Sequence, residues 1–347
     1  MTFKNTLFLY ASIFLLLAIV VGFVISSSSD AIEKFDREDK GIESLNTLQE
    51  RQKWIGRIDA VGTERAYEEF KKMYASDRFK IQHTMAHVMG ELLYEKKGIE
   101  GLTTCDSSFA FGCYHSFFGR AISKEGMDVI SKLDKACVKK YGPGGTGCLH
   151  GIGHGIIEYL GHDKLVTALE ACRLTTQVNP LFGCTSGVFM EHNIPIIISA
   201  EKIQSKIREP NNENPYEPCN TIVPKEFRKS CYFEIGLWWK HVLDADFEKL
   251  GMLCKKIPEA EYRELCYLGV GTVVAPTSNF EAEKAIRLCE KMPDPRPILL
   301  CRAGASWVFF AVPEKRFLAQ TVCKNPEQSD ELYCLLKSDL FNGKDND

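Results

Sequence analysis

Every cysteine of this chain falls into a short-range pair, and the pairs recur at a near-fixed interval. They are Cys105/Cys113, Cys137/Cys148, Cys172/Cys184, Cys219/Cys231, Cys254/Cys266, Cys289/Cys301 and Cys323/Cys334. Cys137 to Cys172, Cys219 to Cys254 and Cys254 to Cys289 are each 35 residues apart, and Cys289 to Cys323 is 34. Within a pair the usual pattern is C-x(10–11)-C. A period near 35 is the length of a helix–turn–helix repeat, in which stacked units bury together the apolar faces that one unit cannot bury alone. The 347 residues therefore read as one array and not as separate domains.

The text between the cysteines agrees. Residues 247–275, FEKLGMLCKKIPEAEYRELCYLGVGTVVA, read as helix, Pro-containing turn, helix. The stretches 127–160 and 281–310 repeat the pattern. The first cysteine closes helix A and the second opens helix B. Small residues recur three positions after the second cysteine, at Gly151, Gly187, Gly269 and Gly304. They recur again five positions after it, at Gly153, Gly236, Gly271 and Ser306. Glycine costs a helix about 0.8–1.0 kcal/mol relative to alanine, so these positions predict close packing between units that offsets the cost.

Two units depart from the pattern. An insertion at 193–217 follows Cys184, and the Cys105/Cys113 unit is compressed, with a short helix A. Residues 62–96 form an earlier unit without cysteines. Trp238, Trp239, Trp307, Phe309 and Phe310 are expected to fill the core between repeats. The expected fold is all-α: an α-solenoid of about eight helix–turn–helix repeats over residues 62–340. A charged, partly helical stalk at 30–61 precedes it and a polar tail at 341–347 follows.

The two ends of a helical hairpin lie close together, which allows a bridge between paired cysteines. Closing a loop of about a dozen residues is worth roughly 3 kcal/mol in the chain-entropy model. The rival use of cysteine is a metal cluster. That needs close spacing such as C-x-x-C, and neither this motif nor C-x-x-C-H occurs. Seven bridges, one per repeat, are expected, with the compressed Cys105/Cys113 pair the least regular. The arrangement resembles the cysteine-rich, tetratricopeptide-like repeat proteins secreted by bacteria, which carry one disulfide per helical hairpin. The resemblance covers roughly residues 62–340 and implies an architecture, not an activity. That family's usual C-x7-C spacing occurs here only at Cys105/Cys113, and its pattern does not include the histidines of this chain.

The N-terminus points to a membrane. No charged residue occurs between Lys4 and Asp30, and Leu7 to Ile25 is almost wholly apolar. As a helix this run crosses a hydrocarbon core of about 30 Å. It is longer than the apolar core of a secretory signal, about 7–15 residues. Residues 1–29 are read as a single-pass anchor. The alternative is a cleaved signal, with a cleavage site in Ser26–Ser29, which would make the protein secreted. Lys4 and the α-amino group favour an N-terminus inside. Either reading exports the bulk of the chain to a periplasmic or extracellular space. With 43 basic against 46 acidic residues there is no basic footprint for nucleic acid. No H-E-x-x-H, G-x-S-x-G, P-loop or dinucleotide fingerprint is present.

Five of the eight histidines share one register. His115 and His150 lie two residues after the second cysteine of their units, and His154 lies six after it. With Ile81 in the cysteine's place, His83 and His87 fall at plus two and plus six. Glu91 and Glu158 extend these into two stripes, His83/His87/Glu91 and His150/His154/Glu158, each spaced i, i+4, i+8. Later units carry Phe233, Leu268 and Ala303 at plus two, so the polar stripe is confined to the first three B helices.

Two histidines at i and i+4 can share one ion, with Zn–N of about 2.0–2.1 Å. The carboxylates could add a ligand or act as a base. Such mixed sites suit Zn, Fe, Cu or Mn; haem fits less well, although two facing histidines can serve as axial ligands. Packed helices stand about 8–10 Å apart, so two ions flanking His115 fit more easily than one ion spanning the first and third helices. His192 is an extra ligand candidate, His162 lies in a GHDK turn and reads as solvated, and Glu234 replaces the small residue at plus three and is placed towards the groove. The competing account makes these histidines a structural hydrogen-bond network. Two functions follow. The first is a membrane-tethered transition-metal binder with redox or hydrolytic use. The second is a non-catalytic scaffold that binds a protein or peptide on its concave face.

Overall fold

The computed structural model describes residues 47–142, 145–176, 181–194, 208–209, 211 and 213–323. Among these the protein is all-helical, with fourteen α-helices and no strand. Helix α1 (Thr47–Val61) leads into α2 (Thr63–Tyr74) and α3 (Phe79–Lys97). A 3-10 turn at Gly98–Thr103 precedes α4 (Gly112–Glu125). Then come α5 (Ile130–Tyr141), α6 (Thr146–Leu160), α7 (Leu165–Ala171), α8 (Cys184–Asn193) and α9 (Arg228–Val242). The last five are α10 (Phe247–Lys255), α11 (Ala260–Thr277), α12 (Ala282–Cys289), α13 (Pro295–Ala311) and α14 (Ala319–Cys323).

Six disulfides join Cys105–Cys113, Cys137–Cys148, Cys172–Cys184, Cys219–Cys231, Cys254–Cys266 and Cys289–Cys301. Their Cα–Cα distances of 5.3–5.7 Å are ordinary for a bridge. The compressed Cys105/Cys113 pair is among them, and the 3-10 turn stands where its helix A would be. Cys334 lies outside the described residues, and no described cysteine is free.

The helices that follow the second cysteines pack side by side in chain order: α3 on α4, α4 on α6, α6 on α8, α8 on α9, α9 on α11, and α11 on α13. Glycine makes this possible. A Cβ on Gly153 of α6 would lie 1.9 Å from the Cys184 carbonyl oxygen, and one on Gly187 of α8 would lie 1.9 Å from that of His150. The α11/α13 pair repeats the arrangement, with Gly271 against the Cys301 carbonyl (2.1 Å) and Gly304 against that of Leu268 (2.0 Å). In these pairs the plus-five glycine of one helix meets the cysteine of the next, and the plus-three glycine meets the plus-two carbonyl of the helix before; Gly236 of α9 meets Val270 instead.

This contact pattern corrects the register of the cysteine-free unit. A Cβ on Gly90 of α3 would lie 2.1 Å from the Cys113 carbonyl, so Gly90 holds the plus-five place. Met85, one turn beyond Ile81, then stands for the missing cysteine. His87, and not His83, aligns with His115 and His150 at plus two.

The row bends back on itself. Phe79 of α3 packs on Phe280, just after α11, at 5.3 Å between ring centroids, and Phe182 packs on Trp307 of α13 at 4.4 Å. Trp238, Trp239, Trp307 and Phe309 are buried, but Phe310 is exposed beneath the Arg316 guanidinium. Trp238 and Trp239 also hold the described end of the insertion. Trp238 Nε1 donates to the Arg208 carbonyl (2.8 Å) and Trp239 Nε1 to that of Pro215 (3.0 Å).

The stalk behaves differently from the expectation at its C-terminal end. Trp54 and Ile58 of α1 are buried, and Trp54 meets Phe70 of α2 at 5.4 Å. The two apolar residues are four apart on one face, so α1 docks on the folded unit. The apolar run Leu7 to Ile25 lies outside the described residues, and among the described residues no helix is long and apolar enough to cross a membrane.

Candidate metal centre

The five histidines converge on the inner side of α3, α4 and α6. His87, His115, His150 and His154 are buried, and His83 is half-buried at the edge. They form two triads, His83/His87/His115 and His115/His150/His154. Within each triad one ring nitrogen per residue lies within 4.8 Å of the others.

In the first triad, His83 Nδ1 lies 2.8 Å from the Phe109 carbonyl oxygen. A carbonyl only accepts, so Nδ1 carries the proton and His83 Nε2 presents a lone pair. The carbonyl is set there by a left-handed turn at Phe109, Ala110 and Phe111, unusual for non-glycine residues. His87 Nε2 faces His83 Nε2 at 3.2 Å and His115 Nδ1 at 3.4 Å. One ring nitrogen holds one proton or one lone pair, so it cannot serve both neighbours well. His87 Nδ1 is buried with no hydrogen-bond partner.

In the second triad both outer nitrogens are engaged. His154 Nδ1 lies 2.8 Å from Glu191 Oε2, and His150 Nδ1 lies 3.1 Å from Ser186 Oγ, which itself bonds Glu234 Oε1. With both carboxylates ionised the donors are fixed. His154 Nδ1–H gives to Glu191, Ser186 O–H to Glu234, and His150 Nδ1–H to Ser186. The two Nε2 lone pairs then face each other at 2.9 Å, which a cation between them relieves. Tetrahedral zinc with bonds of about 2.0–2.1 Å holds its nitrogens about 3.3 Å apart, close to the two distances of the first triad and about 0.4 Å longer than the His150–His154 separation. With Glu234 protonated the same chain closes without an ion: Glu234 gives to Ser186, Ser186 to His150, His150 Nε2–H to His154, and His154 to Glu191.

Burial dominates the acid–base behaviour. It lowers His83 and pushes His87, His115 and His150 well down; charges on neighbouring histidines add to the last three. His154 is lowered to about 3. All five are neutral near pH 7, as metal ligands must be. Burial raises Glu234 to about 8, against the opposing hydrogen bond from Ser186.

These shifts have opposite signs in stability. The histidines bind protons more readily in the unfolded chain. Their contribution is complete above pH 6.5 and is lost as the pH falls through that value towards 3. Glu234 binds its proton more readily when folded, so its contribution is complete below pH 4.5 and is lost as the pH rises towards 8. In metal-free protein, Glu234→Gln should raise the thermal midpoint at pH 8 and leave it unchanged at pH 4. Equal midpoints for variant and wild type at pH 8 would show that Glu234 is not held neutral.

The stripe's carboxylates do not join the triads. Glu91 pairs with Arg51 of α1 at 3.2 Å, and Glu158 sits with His162 and Glu191 in a separate group. Eight residues turn a helix about 80° past two full turns, which carries both glutamates off the histidine face. His162 is only half-solvated, 3.5 Å from Glu158. His192 stands apart from the triads; its Nδ1 lies 3.1 Å from the His162 carbonyl oxygen, and burial lowers it to about 4.

Glu234 of α9 does not face an open groove as expected: it is buried and accepts a hydrogen bond from Ser186 Oγ. Ser186 and Glu191 were not singled out by the sequence. Extending the plus-two count to Cys184 finds Ser186; no spacing signal marks Glu191. The geometry supports candidate His/Glu metal-binding groups within a disulfide-rich helical protein. Searches against protein-family models, curated proteins and solved structures find no match to this chain.

Proposed function

We propose that this protein is a membrane-tethered, extracytoplasmic α-solenoid that binds a transition metal among its buried histidines. The N-terminal apolar run supports the tether. The disulfides support an oxidising compartment. The side-by-side row of B helices supports the solenoid. One observation carries the metal: the His150 and His154 Nε2 atoms stand 2.9 Å apart, and with Glu234 ionised, the form a bound cation favours, each ring commits Nδ1 to an acceptor and turns a lone pair towards one common point. Imidazole donors suit zinc, copper and iron. Glu191 and the Ser186–Glu234 pair act from behind, fixing ring orientation and raising the basicity of the ligating nitrogen, as outer-shell carboxylates do.

The test compares two glutamates by competition with a chromophoric zinc chelator, using the full chain. Glu191→Gln should weaken zinc binding by about 10–100-fold, the usual cost of losing an outer-shell partner. Glu91→Gln should leave it unchanged. Equal effects from both, or none from Glu191→Gln, would contradict the assignment.

A further inference from the structure

The histidines form two groups that share one member. Each triad has its nitrogens within 4.8 Å of one another, and His115 alone belongs to both. His115 is buried on α4, the helix between α3 and α6. Its Nδ1 faces His87 Nε2 at 3.4 Å, and its ring centroid lies 5.2 Å from that of His83. On the other side its ring lies 4.3 Å from that of His154 and 6.0 Å from that of His150. An imidazole has two nitrogens on different edges of one ring, and each offers a single lone pair once the N–H proton is gone.

We propose that His115 bridges two divalent first-row metal ions, one in each triad, as an imidazolate. The assignment rests on the metal-binding reading above and adds to it the number of ions and their link. His83, His87 and His115 Nδ1 take one ion; His150, His154 and His115 Nε2 take the other. The single N–H proton of His115 passes to solvent as the second ion binds, and no electron is transferred. Each ion then has three imidazole ligands and, for a tetrahedral ion, one open position, the pattern of sites that act on a substrate. The two triads also differ in what lies behind them. A backbone carbonyl orients His83, whereas carboxylate-linked partners orient His150 and His154. The second triad should therefore fill first, because its ligands are the more basic.

The probe is Cu(II), which binds nitrogen sites most tightly of the divalent first-row ions. The full chain, free of any polyhistidine tag, is titrated with Cu(II) and followed by elemental analysis and electron paramagnetic resonance. Two coppers per chain are expected. Spin coupling through the shared ring should reduce the integrated signal at low temperature far below that of two isolated ions. His83→Ala should bind one copper with its full signal. His115→Ala should weaken both sites, whereas His154→Ala should weaken only the second. Circular dichroism and thiol counting check that each variant is folded and bridged. The wild-type spectrum decides even if His115→Ala does not fold. One copper per chain, or two with their full uncoupled signal, would overturn the bridge and leave metal binding standing. No bound copper would overturn both.

Discussion

Reduction of the disulfides should unfold the protein. Among the described residues, six bridges close loops whose cysteines are 8 to 12 residues apart. A disulfide contributes about 2–4 kcal/mol, whereas a folded domain exceeds its unfolded chain by only about 5–15 kcal/mol. Six such contributions are comparable to or larger than that margin. The helices cannot stand without them. α7 has 7 residues and α12 has 8, well below the roughly 12–15 at which an isolated helix becomes marginal. α6 carries glycines at 147, 151, 153 and 155 within 15 residues, and each costs about 0.8–1.0 kcal/mol relative to alanine. Far-ultraviolet circular dichroism at 25 °C with excess reductant should show loss of most helical signal. Reoxidation should restore it. A full helical signal with every thiol free would show that packing alone holds the fold.

Placing a methyl group at Gly153 should have the next largest effect, out of proportion to its size. The added carbon would lie 1.9 Å from the Cys184 carbonyl oxygen and 2.8 Å from the Val188 amide nitrogen. Both are backbone atoms and cannot swing aside, so α6 and α8 must separate. Overpacking of this kind costs typically about 1–3 kcal/mol, and a backbone neighbour puts Gly153→Ala at or above the top of that range. The same separation draws Ser186 and Glu191 of α8 away from His150 and His154 of α6, so metal affinity should fall with stability. Gly56→Ala is the control. Nothing lies within 4 Å of its Cβ position on α1, and alanine in place of a helical glycine gains about 0.5–1 kcal/mol. Calorimetry should therefore find the two alanines moving the thermal midpoint in opposite directions. A Gly153→Ala midpoint equal to wild type would mean that α6 and α8 do not touch backbone to backbone.

Much of this was legible in the chain because two physical rules leave a periodic trace. A bridge across a helical hairpin needs its cysteines at the ends of the turn, so pairing followed from spacing. Close helix contact needs a missing Cβ at a fixed offset from the cysteine, so Gly153, Gly187, Gly271 and Gly304 marked the contact face. Counting from the second cysteine also places His115 and His150 at plus two and His154 at plus six. The rest was hidden because no period encodes it. Glu91 and Glu158 matched a stripe by counting, but the helix rotates them off the face. Glu191 reaches His154 only because the glycines bring α8 within reach, a tertiary consequence with no local signal. Ile81 lies one turn before the true equivalent of the cysteine, Met85, and a unit without cysteines offers no internal ruler to show it. Gly90 against the Cys113 carbonyl supplies the missing ruler.

Whether the buried histidines hold a metal is decided by elemental analysis of the full chain, purified without a polyhistidine tag and exchanged into metal-free buffer after exposure to zinc or copper. Retained metal at one or more ions per chain is the expected result, and it should be lost when His150 and His154 are both replaced by alanine. No metal in the wild type, or the same content in the double variant, would contradict it.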